Sequence, residues 1–139
     1  MMISPETYYE MNLKGYNILS LGLIDASVYE YNSGGIGWEK GSIAIHSDDG
    51  KLFNENGIGK RCVKPFDYGE HVIGCAYDIK AKEVFWTKNG KKFTKPIQIN
   101  FADISAAFAI SQFTSIEINY GNKPFMFDLE EEYKTKGYL

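Results

Sequence analysis

Alternating apolar and polar positions run through most of the chain, and helical periodicity is nearly absent. In "SIEINY", Ile116, Ile118 and Tyr120 fall on one face, with Ser115, Glu117 and Asn119 on the other. That is the pattern of a half-buried antiparallel strand. "HVIGCAYDI" sets Ile73, Cys75, Tyr77 and Ile79 against Val72, Gly74, Ala76 and Asp78, a second face small enough for another layer of backbone to come close. "EVFWTKNGKKF" predicts a hairpin, since Asn89-Gly90 supplies the two positive-φ residues of a type I′ turn. "TYYEMNL" and "NILSLGLI" predict two more strands joined through Lys14-Gly15-Tyr16, and "AAFAI" and "PFMF" complete the set. Only the tail, "DLEEEYKTKGYL", suits a helical turn or two, with its charge run as a solvated surface. Short strands and close turn signals predict an all-β sandwich or barrel. The longest irregular region, Asp25 to Gly41, is rich in Gly and Tyr. Long loops are where function concentrates.

Composition sharpens this picture without changing it. At 139 residues, without repeats or linkers, the chain suits one domain. An aromatic share of 15% favours strands, where such side chains fit a half-buried pleated surface. A net charge of −3 and scattered lysines argue against nucleic acid, whose phosphates call for a basic stripe. No apolar run approaches a membrane span, and "MMISPETYYE" lacks the apolar core of a signal peptide. Two cysteines at a spacing of no metal or redox motif predict a reduced, cytoplasmic protein, with Cys75 buried in a strand.

"IHSDDGKLFNENG" is the run richest in candidate ligands and carboxylates. A calcium loop aligned on Gly57 puts Leu52 and Val63 at its first and last ligand positions, so the match fails at both ends. His46 and His71 lie on separate elements and predict no zinc site. A glycosidase needs paired carboxylates; Glu117 stands alone on its strand face, and Asp48 and Asp49 would point apart. No nucleophile motif, phosphate loop or dinucleotide fingerprint occurs, and no cofactor is implied. The basic setting of Cys62 in "GKRCVK" would depress its thiol pKa and make it mildly reactive. The reading is of a protein without catalytic residues or metal.

The runs "LGLI…GWEKGSIAIHSDDGKLFNENGIGK", "YGEHVIGCAYDIKAKEVFWTKNGKKF" and "NYGNKPFMFDLEEEY" resemble a SPRY domain, from Tyr8 to about Tyr133. The tail pattern N-[FY]-G-x-x-P-F-x-F-D is most similar to the SPRY domain of the Ran-binding protein group associated with microtubule-organising centres. The resemblance implies a bent antiparallel β-sandwich of jelly-roll architecture. It also implies a non-enzymatic module that docks a protein or short peptide on loops at one rim. A monomer spanning 1–139 is expected, cropped from a longer protein, because the family usually carries another strand ahead of "YYE". A lectin-like carbohydrate-binding sandwich is the alternative, since exposed Tyr and Trp can stack on sugar rings.

Residues carry over one at a time. Trp38 matches a family Trp and reads as a wall of the core. Asp48, Asp49 and Gly50 match a family turn and would tie down a corner through side-chain to backbone hydrogen bonds. Partner contacts are implied at Ile45, where the family has a tyrosine, and at Ser111, Gln112, Phe113 and Thr114, with Phe113 as the hot-spot candidate. Tyr29 and Tyr31, two residues apart and on one side if extended, are further candidates for the recognition rim.

Overall fold

The structure, a computed structural model, describes residues 8–31, 35–112 and 115–138. One sheet contains β1 (Tyr8–Lys14), β6 (His71–Asp78), β7 (Glu83–Lys88), β8 (Lys91–Lys92), β9 (Ile97–Gln98) and β11 (Ser115–Asn119). The other contains β2 (Ile18–Asp25), β3 (Ser42–His46), β4 (Lys51–Asn54), β5 (Lys60–Arg61) and β10 (Ile104–Gln112). Their orders are β11-β1-β6-β7-β8, with β9 also on β7, and β10-β2-β3-β4-β5, antiparallel at every described pairing. This is the all-β sandwich expected.

Strand parity builds the core. Tyr9, Met11 and Leu13 of β1, Ile73 and Cys75 of β6, and Val84 and Trp86 of β7 face Leu19, Leu21 and Leu23 of β2 and Ile43 and Ile45 of β3. Two polar tips inside this apolar layer both reach β2. Trp86 Nε1 donates to the Leu21 carbonyl at 3.0 Å, and the Tyr9 hydroxyl donates to the Gly22 carbonyl at 2.7 Å. Each buries an aromatic body while satisfying its polar end.

The hairpin forms as expected, with Asn89 at φ 50° and Gly90 at φ 84° and Lys88 paired to Lys91. The small face of β6 is indeed closely covered. Phe125, Phe127 and Leu129 pack with Tyr8, Ala76 and Phe85 on the outside of that sheet. "PFMF" is not a strand, however. Its backbone donors go to a side chain from the far end of the sequence: Glu10 accepts from Met126 N at 2.9 Å and Phe127 N at 3.0 Å. The tail helix α1 (Leu129–Thr135) is capped by Asp128, which accepts from Glu131 N. Its charge run is only partly solvated, because Glu132 lies between Lys92 and Lys136.

The first sheet places β1 between β11 and β6, so β1 is an internal strand. Among the described residues the edge beside it is β11.

Asp25 ends β2 and starts the long loop. Its carboxylate accepts from the Ser27 hydroxyl at 2.6 Å, Ala102 N at 2.9 Å, and Ser27 N and Asp103 N at 3.1 Å. The Ser27 hydroxyl and these N–H groups outweigh the opposing effect of burial and hold the carboxyl at about 2, below the ordinary 3.8. A depressed folded pKa contributes stability that is full above 3.8 and lost as pH falls through about 2. Thermal unfolding followed by circular dichroism over a pH series should therefore show part of the acid decline in that window. Asp25→Asn should lower the melting temperature at neutral pH and remove that part of the decline. An unaltered acid profile in the variant would contradict the assignment.

Candidate functional site

The outer face of the β10-β2-β3-β4-β5 sheet carries small residues beneath the long loop. Ile36 and Tyr29 pack on Ala44 and Ala107 there. The loop is pinned at its centre by both sides of Ile36. Ile36 N donates to Ser20 Oγ at 3.0 Å, and the Ile36 carbonyl accepts from His46 Nε2 at 2.8 Å. A carbonyl can only accept, so Nε2 carries the proton. Ser20 and His46 are direct partners in the β2–β3 register, which places both on the outer face. A second clamp follows: Gly37 N donates to Ser42 Oγ at 3.0 Å, and the same hydroxyl donates to the Glu39 carbonyl at 2.6 Å. Gly37 has φ 107°, and a Cβ there would lie 2.8 Å from the Phe53 carbonyl oxygen.

These clamps hold Trp38 over the sheet. Its ring centroid is 5.8 Å from His46 and 6.0 Å from Phe53, and His46 lies 4.2 Å from Phe53. Trp38 stays 41% exposed and Tyr31 83% exposed. Together with Ile18, Ser20, His46 and Asp48 they line a hollow of about 320 Å³, closed on one side by Ala109 and Ile110 near the end of β10. The "DDG" corner below it is a turn, as expected. Gly50 N bonds the His46 carbonyl, Gly50 has φ 67°, and Asp49 accepts from Lys51 N at 2.9 Å. Asp48 takes no part in holding it among the described residues.

The sequence-predicted site residues are partly brought together. Tyr31 lines the hollow. Tyr29 turns the other way into the Ile36–Ala44–Ala107 cluster, because residues 25–29 form a helical turn, with Tyr29 N on the Asp25 carbonyl, instead of an extended run. Ile45 is fully buried between the sheets, so it makes no direct partner contact; the next residue, His46, is the one on the outer face. Ser111 and Gln112 end β10, beside Ile110, while Phe113 and Thr114 lie outside the described residues. Trp38, read from sequence as a core wall, stands on the surface. Asp48 and Ser20 were also not foreseen at the site; strand parity with His46 was the available signal for Ser20. The Cys62 thiol is pushed up by burial, which corrects the reactive reading.

Other hollows lie elsewhere among the described residues. One of about 330 Å³ lies on the opposite outer face, lined by Asn12, Val72, Glu117, Asn119 and Met126. Another, of about 620 Å³, is lined by Tyr77, Ile79, Lys82, Asn100 and Phe101. Neither holds an exposed Trp beside an exposed Tyr on a doubly clamped loop.

A rigid two-sheet scaffold with aromatic rings held over one face is the build of a recognition domain. The comparisons agree. The family described as "SPRY domain" matches residues 6–123. Over 108 residues the chain is 34% identical to Ran-binding protein 9 of Xenopus tropicalis, covering 72% of this chain and 19% of that protein. The human Ran-binding protein 9 gives the same identity over 14% of its length, so the chain spans less than a fifth of these relatives. A crystal structure of a human SPRY domain superposes with a TM-score of 0.64 at 22% identity, covering 88% of this chain and 81% of that one. The SPRY domain of human HERC1 gives 0.62 at 13% identity, covering 85% and 76%.

The chain belongs to the SPRY domain family. SPRY domains are in general non-enzymatic protein–protein interaction modules. The carbohydrate-binding alternative is not supported by these matches.

Proposed function

We propose that this domain docks a short segment of a protein partner in the hollow between Tyr31, Trp38 and the end of β10. The observation that carries this reading is Trp38, a large ring left open to solvent yet braced from behind by His46 and Phe53. A preformed aromatic surface loses little entropy on binding, so less of its contact energy is offset by ordering. The segment continues toward Ser111, Gln112, Phe113 and Thr114, which follow Ile110 in sequence. The domain works as a monomer and without a cofactor in this reading. Its two free thiols, Cys62 and Cys75, suit the reducing cytoplasm. The scattered lysines and net charge of −3 fit neither nucleic acid nor an anionic membrane surface.

A peptide array probed with wild type and with Trp38→Ala and Tyr31→Ala variants tests this. Both side chains are exposed, so the melting temperature should stay within about 3 °C of wild type. Trp38→Ala should weaken bound peptides by about 2 kcal/mol, roughly thirtyfold, and Tyr31→Ala by less. Peptide binding that survives both changes would place the docking surface elsewhere.

A further inference from the structure

We infer that the partner segment presents an arginine, lying flat on Trp38 with its guanidinium directed to Asp48, an inference that rests on the docking reading above. Asp48 is the one carboxylate among the described residues of the hollow, and no Lys or Arg lines it. Its neighbour Asp49 is consumed by the turn, accepting from Lys51 N, whereas Asp48 is exposed and has no hydrogen bond or ion pair among the described residues. The corner would close without it. A carboxylate with no partner among the described residues, in the same hollow as an open indole, is complementary to a cation.

The aromatic side of the hollow selects which cation. Trp is the strongest cation–π partner, and the planar guanidinium stacks on an indole while its edge donors still reach a carboxylate. An ammonium would have to choose between the two geometries. Ile18, which shares the outer face of β2 with Ser20, offers apolar surface for the arginine's methylene stem. The same arrangement rejects an acidic residue, which would meet Asp48 across a partly dehydrated surface. The net charge of −3 favours approach of a basic segment.

The test uses fluorescent peptide pools, randomised except for a central arginine, lysine, citrulline, glutamine or glutamate. Binding is read by anisotropy against wild type, Asp48→Asn, Asp48→Lys and Trp38→Ala. The arginine pool should bind wild type about tenfold more tightly than the citrulline pool, which keeps the shape and loses the charge. Asp48→Asn should erase that advantage, and Asp48→Lys should transfer the preference to glutamate, a switch that a merely structural role would not produce. Equal binding of arginine and citrulline, equal binding of arginine and lysine, or an arginine advantage that survives Asp48→Asn overturns the inference. The docking reading would still stand in those cases if Trp38→Ala abolished binding of every pool. If Trp38→Ala changes nothing, or no pool binds wild type, the docking reading fails and takes this inference with it.

Discussion

Gly22→Ala is expected to abolish folding. Gly22 sits at the middle of β2, paired to Ala44 on one side and Ala107 on the other. A Cβ there would lie 1.8 Å from the Ile43 carbonyl oxygen, 2.7 Å from Ala44 Cα and 2.8 Å from the Ile43 carbonyl carbon. All three are backbone atoms of the neighbouring strand, so no side-chain rotation relieves the clash. Pushing β2 away would also stretch the Tyr9 and Trp86 bonds that join the two sheets through Gly22 and Leu21. Overpacking a core usually costs about 1–3 kcal/mol, but a rigid backbone contact this short belongs to the class above about 4. That is most of the stability of a marginal domain. Gly57→Ala is the matched control, because nothing lies within 4 Å of its Cβ, and it should stay within about 0.5 kcal/mol of wild type. Soluble yield and a circular-dichroism melt of both variants decide it. A Gly22→Ala protein that melts like wild type would mean the β2–β3 register described here is wrong.

Glu10→Ala is expected to cost about 3 kcal/mol, since it strands the buried Phe127 N–H and the part-buried Met126 N–H. The Glu10 side chain reaches outward from β1 and gathers the Tyr8 hydroxyl at 2.6 Å together with the Met126 and Phe127 N–H groups. Without it, residues 124–127 have no ladder to replace the lost acceptors, because they are not part of a sheet. Phe125, Phe127 and Leu129 should then loosen from Tyr8, Ala76 and Phe85. Glu10→Gln keeps the shape but sets an amide in place of one carboxylate oxygen, so an intermediate loss is expected. Chemical denaturation gives the magnitude, and hydrogen exchange over residues 125–136 locates it. Loosening confined to the 26–41 loop, with the tail still protected, would contradict this account of Glu10.

These two residues also show what the sequence could and could not reveal. Alternation alone located most of the longer strands, and Asn89-Gly90 located the hairpin, because those signals are carried by neighbours along the chain. "PFMF" alternates too, yet its partner is a side chain 116 and 117 residues away from the two donors, and no local pattern encodes that. Ile45 was legible after all. In "SIAIH" the two isoleucines share one face, which sends them inward and leaves Ala44 and His46 outside. The family resemblance implies a contact at position 45, and that parity stands against it. Trp38 was not legible, because its exposure depends on the Ile36 clamp to Ser20 and His46, residues brought together only by the β2–β3 register. Tyr29 and Tyr31 separate because the chain after Asp25 coils before it extends.

The central claim is that the Trp38 hollow is the docking surface, and chemical-shift mapping tests it most directly. Isotope-labelled domain is titrated with the tightest peptide from the array, and amide and indole resonances are followed. The account predicts shifts at the Trp38 indole N–H and at Ser20, Tyr31, His46 and Asp48, with Val72, Glu117 and Asn119 on the opposite face unmoved. Shifts gathered around Val72, Asn119 and Met126, with the Trp38 indole unchanged, would contradict it.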